Sequence, residues 1–298
     1  MHNDNMNVLA PATRCQIVRC LVEGNSIRST CRMTGVAKAT VLKFLVDIGA
    51  VCDSAHNQHV RGVASKRVQC DEIWAFCYAK DKNLPDSMHG TPGVGSIWTW
   101  TAMCADSKLM LAYHVGTRDA DCASHFMEDL AGRLSSRVQL TNDGHKAYLE
   151  AVDAAFGTKI DYAQLIKLYG PAREEDHYSP GECIDSHKQY VSGLPDPKHN
   201  STSLNEHQNL TMRRFTRLTN ALSKKVAILE AAVALHFFYY NFCRIHQTLR
   251  VTPAMEAGLT NHAWEIEELV SLLERAEREA IAAGAMKRGK YGPRQKSA

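Results

Sequence analysis

Three carboxylates in this 298-residue chain stand where an acid is either costly or well placed to work. Asp71 lies inside the run Val68-Gln69-Cys70-Asp71-Glu72-Ile73-Trp74. An acid within a buried strand must be paired or must bind a metal, because an isolated charge loses its hydration there. Asp143 sits just past a short strand, in Leu140-Thr141-Asn142-Asp143-Gly144-His145, and strand ends are where α/β sheets usually bind ligands. Glu206 sits in Ser203-Leu204-Asn205-Glu206-His207-Gln208-Asn209, the first turn of a long helix. Each has a plain alternative. Asp143-Gly144 is a common turn pair, Ser203-x-x-Glu206 matches a capping box, and one arginine would satisfy Asp71. The order strand, strand, late helix is harder to obtain by chance than any one of them.

The elements that would position these acids follow from periodicity. Residues 67–78 alternate as a strand, and residues 96–105 and 109–115 form two more around a turn at Asp106-Ser107. Asp119 can cap a helix to about Leu134; then come a strand at 138–141, a helix at 147–155 and a strand at 160–168. Three consecutive strands followed by alternating helix and strand indicate a mixed sheet covered by helices. Residues 169–203 hold Gly170, Pro171, Pro180, Gly181, Gly193, Pro195 and Pro197 and read as an irregular insertion. Helices are expected at about 204–222 and 225–243, with a last one at 262–283 and a basic tail, expected to be disordered, at 287–296.

Ahead of the sheet, residues 1–67 carry nine Lys/Arg against four acids, although the whole chain is only +3. A basic segment suits phosphate binding, since neutralising phosphates releases counterions. Helices ending near Gly24-Asn25 and Thr34-Gly35, and a third over about 37–48, follow the helix-turn-helix plan. The third would face a DNA groove with Lys38, Thr40 and Lys43. The expected division is 1–52 for this module, 53–66 for a linker, 67–258 for the catalytic domain and 259–298 for a C-terminal helix and tail. The ten cysteines include no C-x-x-C pair, and the nearest zinc-like group, Cys52, His56, His59 and Cys70, fits no standard finger. Scattered thiols suit a reducing cytoplasm. The sequence shows no secretory leader and no apparent run near the ~18 apolar residues of a membrane span, so a soluble cytoplasmic protein is expected.

The order of the three acids resembles the ribonuclease-H-like core of the retroviral-integrase superfamily. More closely, Asp71-Glu72-Ile73-Trp74, the segment Thr141 to Tyr148 and the segment Glu206 to Arg213 resemble DDE-type transposases of bacterial insertion sequences. So does Tyr240-Asn241-Phe242-Cys243-Arg244-Ile245-His246-Gln247-Thr248-Leu249 with Thr252-Pro253. The resemblance implies an α/β fold, a ribonuclease-H-like mixed sheet with flanking helices behind an all-α helix-turn-helix module. It implies Asp71, Asp143 and Glu206 as catalytic ligands of Mg²⁺, with Mn²⁺ as a substitute. Hard cations take such oxygen donors, and a pair of them would serve the attacking and leaving oxygens of phosphodiester cleavage. Water would cleave at the element's end, and the freed 3′-hydroxyl would attack target DNA. The implied partners are the terminal inverted repeats and target duplex, bound by at least a homodimer. His145, Lys146 and Arg213 would touch DNA; Arg213 is two helical turns from Glu206 on one face. One departure is the 62 residues between Asp143 and Glu206, more than integrases usually have. A nuclease without strand transfer and a transposase-derived DNA-binding regulator are the alternatives.

Overall fold

The computed structural model describes residues 9–169, 183–216 and 224–284. The chain begins with three helices. α1 (Pro11–Val22) starts on a proline, whose missing N–H is no loss in a first turn. α2 (Ile27–Thr34) is capped by Ser26 Oγ, which accepts from the Ser29 N–H at 3.1 Å. Gly35 ends α2 at φ 71°, a left-handed conformation that a side chain would strain. α3 (Lys38–His59) runs eleven residues past the expected end at residue 48 and occupies half of the expected linker. Buried Ile48, Cys52, Ala55 and His56 continue its apolar stripe, while polar Asp53, Ser54 and Gln58 face outward.

The sheet has six strands: β1 (Arg67–Cys77), β2 (Gly95–Cys104), β3 (Met110–Gly116), β4 (Val138–Asp143), β5 (Ile160–Tyr169) and β6 (Cys183–Ser192). Their spatial order is β3-β2-β1-β4-β5-β6. β1, β4 and β5 are parallel; β2, β3 and β6 run antiparallel to their neighbours. α4 (Ala120–Arg133) carries the chain from β3 to β4, and its N-cap Asp119 accepts from the Cys122 N–H at 2.9 Å. α5 (Ala147–Phe156) makes the crossover between parallel β4 and β5. The expected irregular insertion is corrected in part, because β6 lies within it and forms an antiparallel ladder with β5. β6 hides from sequence reading because residues 184–191 are exposed, so no buried face imposes an alternation. Residues 170–182 of that insertion lie outside the described residues, as do 217–222 of the expected helix and the basic tail.

Four helices complete the fold: α6 (Ser203–Thr216), α7 (Val226–Phe238), α8 (Pro253–Glu256) and α9 (Ile266–Ala282). A π-helical stretch, Tyr239–Cys243, extends α7. Together α7 and this stretch span 18 residues, Val226–Cys243, apolar enough by length and composition to cross a membrane, which corrects the expectation that no such run exists. Of that segment 61% is buried inside the fold. The N-terminal helices share one apolar core with the sheet: Ile17, Ile48, Trp100, Phe126 and Phe238 belong to a single cluster. Gly49 of α3 lies against Ala231 of α7 so closely that an added Cβ would come within 2.5 Å of the Ala231 backbone. Arg14 pairs with Glu277 of α9 at 2.9 Å, and Arg19 pairs with Glu267. The first helices are therefore bolted to the sheet domain and not strung ahead of it. The described cysteines are free, and Cys52, His56, His59 and Cys70 form no ligand set.

Candidate active site

The parallel ladder between β1 and β4 sets Gln69 opposite Thr141. Two residues further along each strand stand Asp71 and Asp143. Because side chains alternate with period two, this common offset sends both carboxylates to the same face. Glu206 reaches that place through α6, whose first turn is fastened to β1. Gln69 Oε1 accepts from the backbone N–H groups of Leu204 at 3.1 Å and Asn205 at 3.3 Å, satisfying two donors that a helix start leaves open. Asn205, fully buried, donates its Nδ2 to the carbonyls of Gln69 and Thr101, each at 3.1 Å. Asp71, Asp143 and Glu206 accordingly line one open cleft of about 820 Å³.

The three acids are held differently. Asp71 Oδ1 accepts from the Glu72 N–H at 2.9 Å and Oδ2 from Asn209 Nδ2 at 2.6 Å. Burial, and then the charge of Asp143, raise its pKa to about 6. The single arginine that would have neutralised Asp71 goes elsewhere: Arg118 grips the neighbouring Glu72 through Nε at 3.1 Å and Nη2 at 2.9 Å. Arg118 also stands 3.7 Å from Asp143 and lies over the Trp98 ring at 4.7 Å. Burial, and then Asp143, push Glu72 up to about 7 in spite of Arg118. Asp143 Oδ1 accepts from the His145 N–H at 3.2 Å. For Glu206, burial pulls the pKa upward, but hydrogen bonds from Lys167 Nζ and Thr202 Oγ1 outweigh it and bring the carboxyl below its ordinary value. Glu206 makes no capping box; its Oε1 is held by Thr202 and Lys167 side chains.

Asp71 and Asp143 suit a hard divalent cation: they are oxygen donors side by side, and each would shed repulsion by sharing a positive charge. Asn209 Oδ1 is a further buried oxygen without a hydrogen-bond partner. Among the described residues, however, no group of three or more His, Cys, Asp or Glu side chains is gathered closely enough to hold a metal. The Lys167 ammonium engages Glu206. The expected DNA contacts near the acids, His145, Lys146 and Arg213, all line the same cleft. Lys146 and Arg213 are exposed. His145 is partly occupied: its Nδ1 accepts from the Ala147 N–H at 3.1 Å, and its ring packs on Trp100 and Tyr148. Burial, then Arg118, lowers its pKa. Lys38, Thr40 and Lys43 lie far along the chain on exposed positions of α3, with Lys43 paired to Asp47.

Sequence reasoning overlooked Gln69, Glu72, Arg118, Lys167 and Asn209. Only Asn209 carried a usable signal, since it lies three residues after Glu206 on the same helical face. The other contacts depend on strand register and loop placement.

No family model matches the chain, and no curated protein matches it. Solved structures do. A piggyBac transposase synaptic complex with hairpin DNA aligns at 11% identity and a TM-score of 0.40, covering 97% of this chain and 76% of that one. The Mos1 strand transfer complex aligns at 12% identity and 0.31, covering 98% and 83%. The Mos1 mariner paired-end complex with Mn aligns at 10% and 0.27, covering 96% and 83%.

Proposed function

We propose that this chain is a DDE-type DNA transposase built on a ribonuclease-H-like sheet, cleaving phosphodiesters at element ends and joining them to target DNA. The supporting observation is the matched register of Asp71 and Asp143 on adjacent parallel strands, above a cleft that Glu206 also lines. Asp71 and Asp143 would hold Mg²⁺ or Mn²⁺, and Glu206 would join them once its carboxylate leaves Lys167. When bound, such ions activate the attacking oxygen and neutralise charge on the leaving one. Asn209 would hold Asp71 in place through its hydrogen bond to Oδ2, and Arg118 would hold Glu72. Lys146 and Arg213, exposed on the cleft's rim, would hold phosphates of the DNA strand. Water and then a DNA 3′-hydroxyl serve as nucleophiles, so no serine or cysteine is required. The three N-terminal helices read as the helix-turn-helix that selects the element's ends, with α3 in the groove, and the acting species as at least a dimer on paired ends in the cytoplasm.

The test supplies pre-cleaved ends bearing a free 3′-hydroxyl, with Mg²⁺ and target duplex. Wild-type protein should join them. Asp71→Asn should bind DNA as wild type does yet join nothing, since an amide is a neutral and poorer ligand. Arg213→Ala should reduce joining while leaving a measurable remainder. Cutting without joining, by protein assembled on paired ends, would move the assignment to a nuclease.

A further inference from the structure

α6 has two working faces. Glu206, Asn209, Leu210 and Arg213 border the carboxylate cleft. Leu204, His207, Gln208 and Thr211 border a separate cavity of about 530 Å³ on its other side. Both sets repeat at three and four residues, so a single helix forms the wall between the two. The far side of the second cavity is made by Lys108 at the β2–β3 turn, by Tyr240 in the π-helical stretch and by residues 244–248. Lys108, His207, Arg244 and His246 all bear, or can take up, positive charge, and no Asp or Glu is among the lining residues.

The backbone around this cavity is unusual in three places. Lys108 is held in the left-handed region, at φ 61°. Its carbonyl accepts from Tyr240 Oη at 3.0 Å, and its Nζ donates to the Ala105 carbonyl at 2.6 Å. The π-helical Tyr239–Cys243 ends immediately before Arg244, and such stretches recur at functional positions because they re-aim the residues after them. Arg250, at φ 65°, closes the next loop: its N–H donates to the His246 carbonyl, and the His246 N–H donates to the Val251 carbonyl, both at 2.9 Å. Non-glycine residues held in this region carry a strain that the surroundings must offset, and such residues cluster at ligand sites. The lining cations also leave a mark on His246. Its pKa is lowered first by burial, then by Lys108 and Arg244.

We propose that this cavity is a second seat for the DNA backbone, in which Lys108 and Arg244 hold a phosphate and Gln208, Thr211 and Thr248 offer neutral donors. The proposal rests on the DNA-processing reading above and adds a contact outside the carboxylate cleft. The cavity is larger than a lone anion needs. Its rim carries Ile245, 51% exposed, which suits a deoxyribose beside the phosphate better than open water. The two sites lie within reach of one strand. A helix is roughly 10 Å across, and charges on a DNA strand succeed each other at ~3.4 Å along the axis. A strand crossing α6 would therefore engage both cavities about three nucleotides apart.

The experiment measures binding of a mixed-sequence duplex to the full chain across a salt series. Variants are Lys108→Ala and Arg244→Ala, with Arg244→Gln and Arg244→Lys beside them. Each charge-removing variant should bind about 3- to 10-fold more weakly and lower the slope of log K against log salt, the Lys108→Ala, Arg244→Ala double variant by about 0.9, one phosphate's worth. Arg244→Lys should keep the wild-type slope. Unchanged slopes in variants that melt like wild type would overturn the seat. So would binding of inorganic phosphate to wild type, lost in Arg244→Gln, with the duplex slope intact; that pattern would assign the cavity to a free anion. Wild-type protein that binds no duplex at all would instead sink the transposase reading, which keeps the two failures apart.

Discussion

At the scale of single residues, the cleft is built against its own stability. Asp71, Glu72 and Asp143 crowd into one place, with Arg118 paired to Glu72 and 3.7 Å from Asp143, and both Asp71 and Glu72 hold their protons above the ordinary range. A carboxyl whose folded pKa is raised binds more protons folded than unfolded between the two values. Ionising it therefore costs stability as pH rises from about 4 through 6 for Asp71 and through 7 for Glu72. Asp71→Asn should accordingly melt higher than wild type at pH 8 in EDTA. The gain has a ceiling of about 3 kcal/mol for a shift near two units, reduced because one amide group must face a donor. At pH 4 the difference should vanish. A variant that melts lower at pH 8 and equally at pH 4 would contradict the raised pKa. The sequence made the acids legible because mid-strand carboxylates are conspicuous. It could not make their partners legible: Gln69 caps a helix 135 residues later, and Lys167 finds Glu206 across 39.

At the scale of elements, α3 shows where composition misleads. Residues 53–58 contain Asp53, Ser54, Asn57 and Gln58 and look like a linker, yet the buried positions between them keep helical spacing. The polar residues are the outer face of a helix whose inner face packs on α7. Gly49 marks that contact. Gly→Ala within a helix normally adds ~1 kcal/mol of stability, but here the new methyl would meet the Ala231 backbone. Gly49→Ala should instead destabilise by about 1–3 kcal/mol, the usual cost of overpacking, read as a lower urea midpoint. β6 was missed for the opposite reason, having no buried face to write a pattern. The same packing revises the electrostatic argument for the N-terminal helices. Of the nine cations in residues 1–67, Arg14, Arg19, Lys43, Arg61 and Arg67 form ion pairs within the fold, leaving Arg28, Arg32, Lys38 and Lys66 as the more obvious candidates for phosphate contact. The double variant Lys38→Ala, Lys43→Ala should thus flatten the salt dependence of duplex binding by less than the ~1.8 expected of two unencumbered contacts. An unchanged slope would remove α3 from the DNA interface.

At the scale of the whole molecule, the helices expected to form a detachable module share a core with the sheet, and the joint is polar as well as apolar. His56, near the end of α3, is fully buried. Its Nε2 meets the Met110 carbonyl of β3 at 3.0 Å, and its Nδ1 meets Arg133 Nη1 of α4 at 3.3 Å. Arg133 also binds the Val60 carbonyl, Asn57 and Asp129, so one guanidinium ties the end of α3 to α4. A neutral imidazole fits this arrangement, donating to Met110 and accepting from Arg133. Burial, then the charge of Arg133, lowers its pKa to about 3. The linkage has the opposite sign to that of Asp71. Below pH 6.5 the unfolded chain takes up a proton that folded His56 refuses, so stability is lost as pH falls from about 6.5 toward 3, by up to ~1.4 kcal/mol per pH unit. Because the raised carboxylates and the similarly lowered His236 also titrate, the absolute profile mixes several groups. The difference between wild type and His56→Gln isolates one of them. Glutamine can still donate to the Met110 carbonyl but takes up no proton, so the variant should be less stable at pH 7.5 and should close the gap steadily as pH falls to 4.5. Denaturant titrations at five pH values read that convergence directly, and a gap that stays constant would mean His56 does not refuse the proton. If the joint opens in acid, α3 should come away from the sheet that carries the cleft, since His56 ties it to β3 and α4.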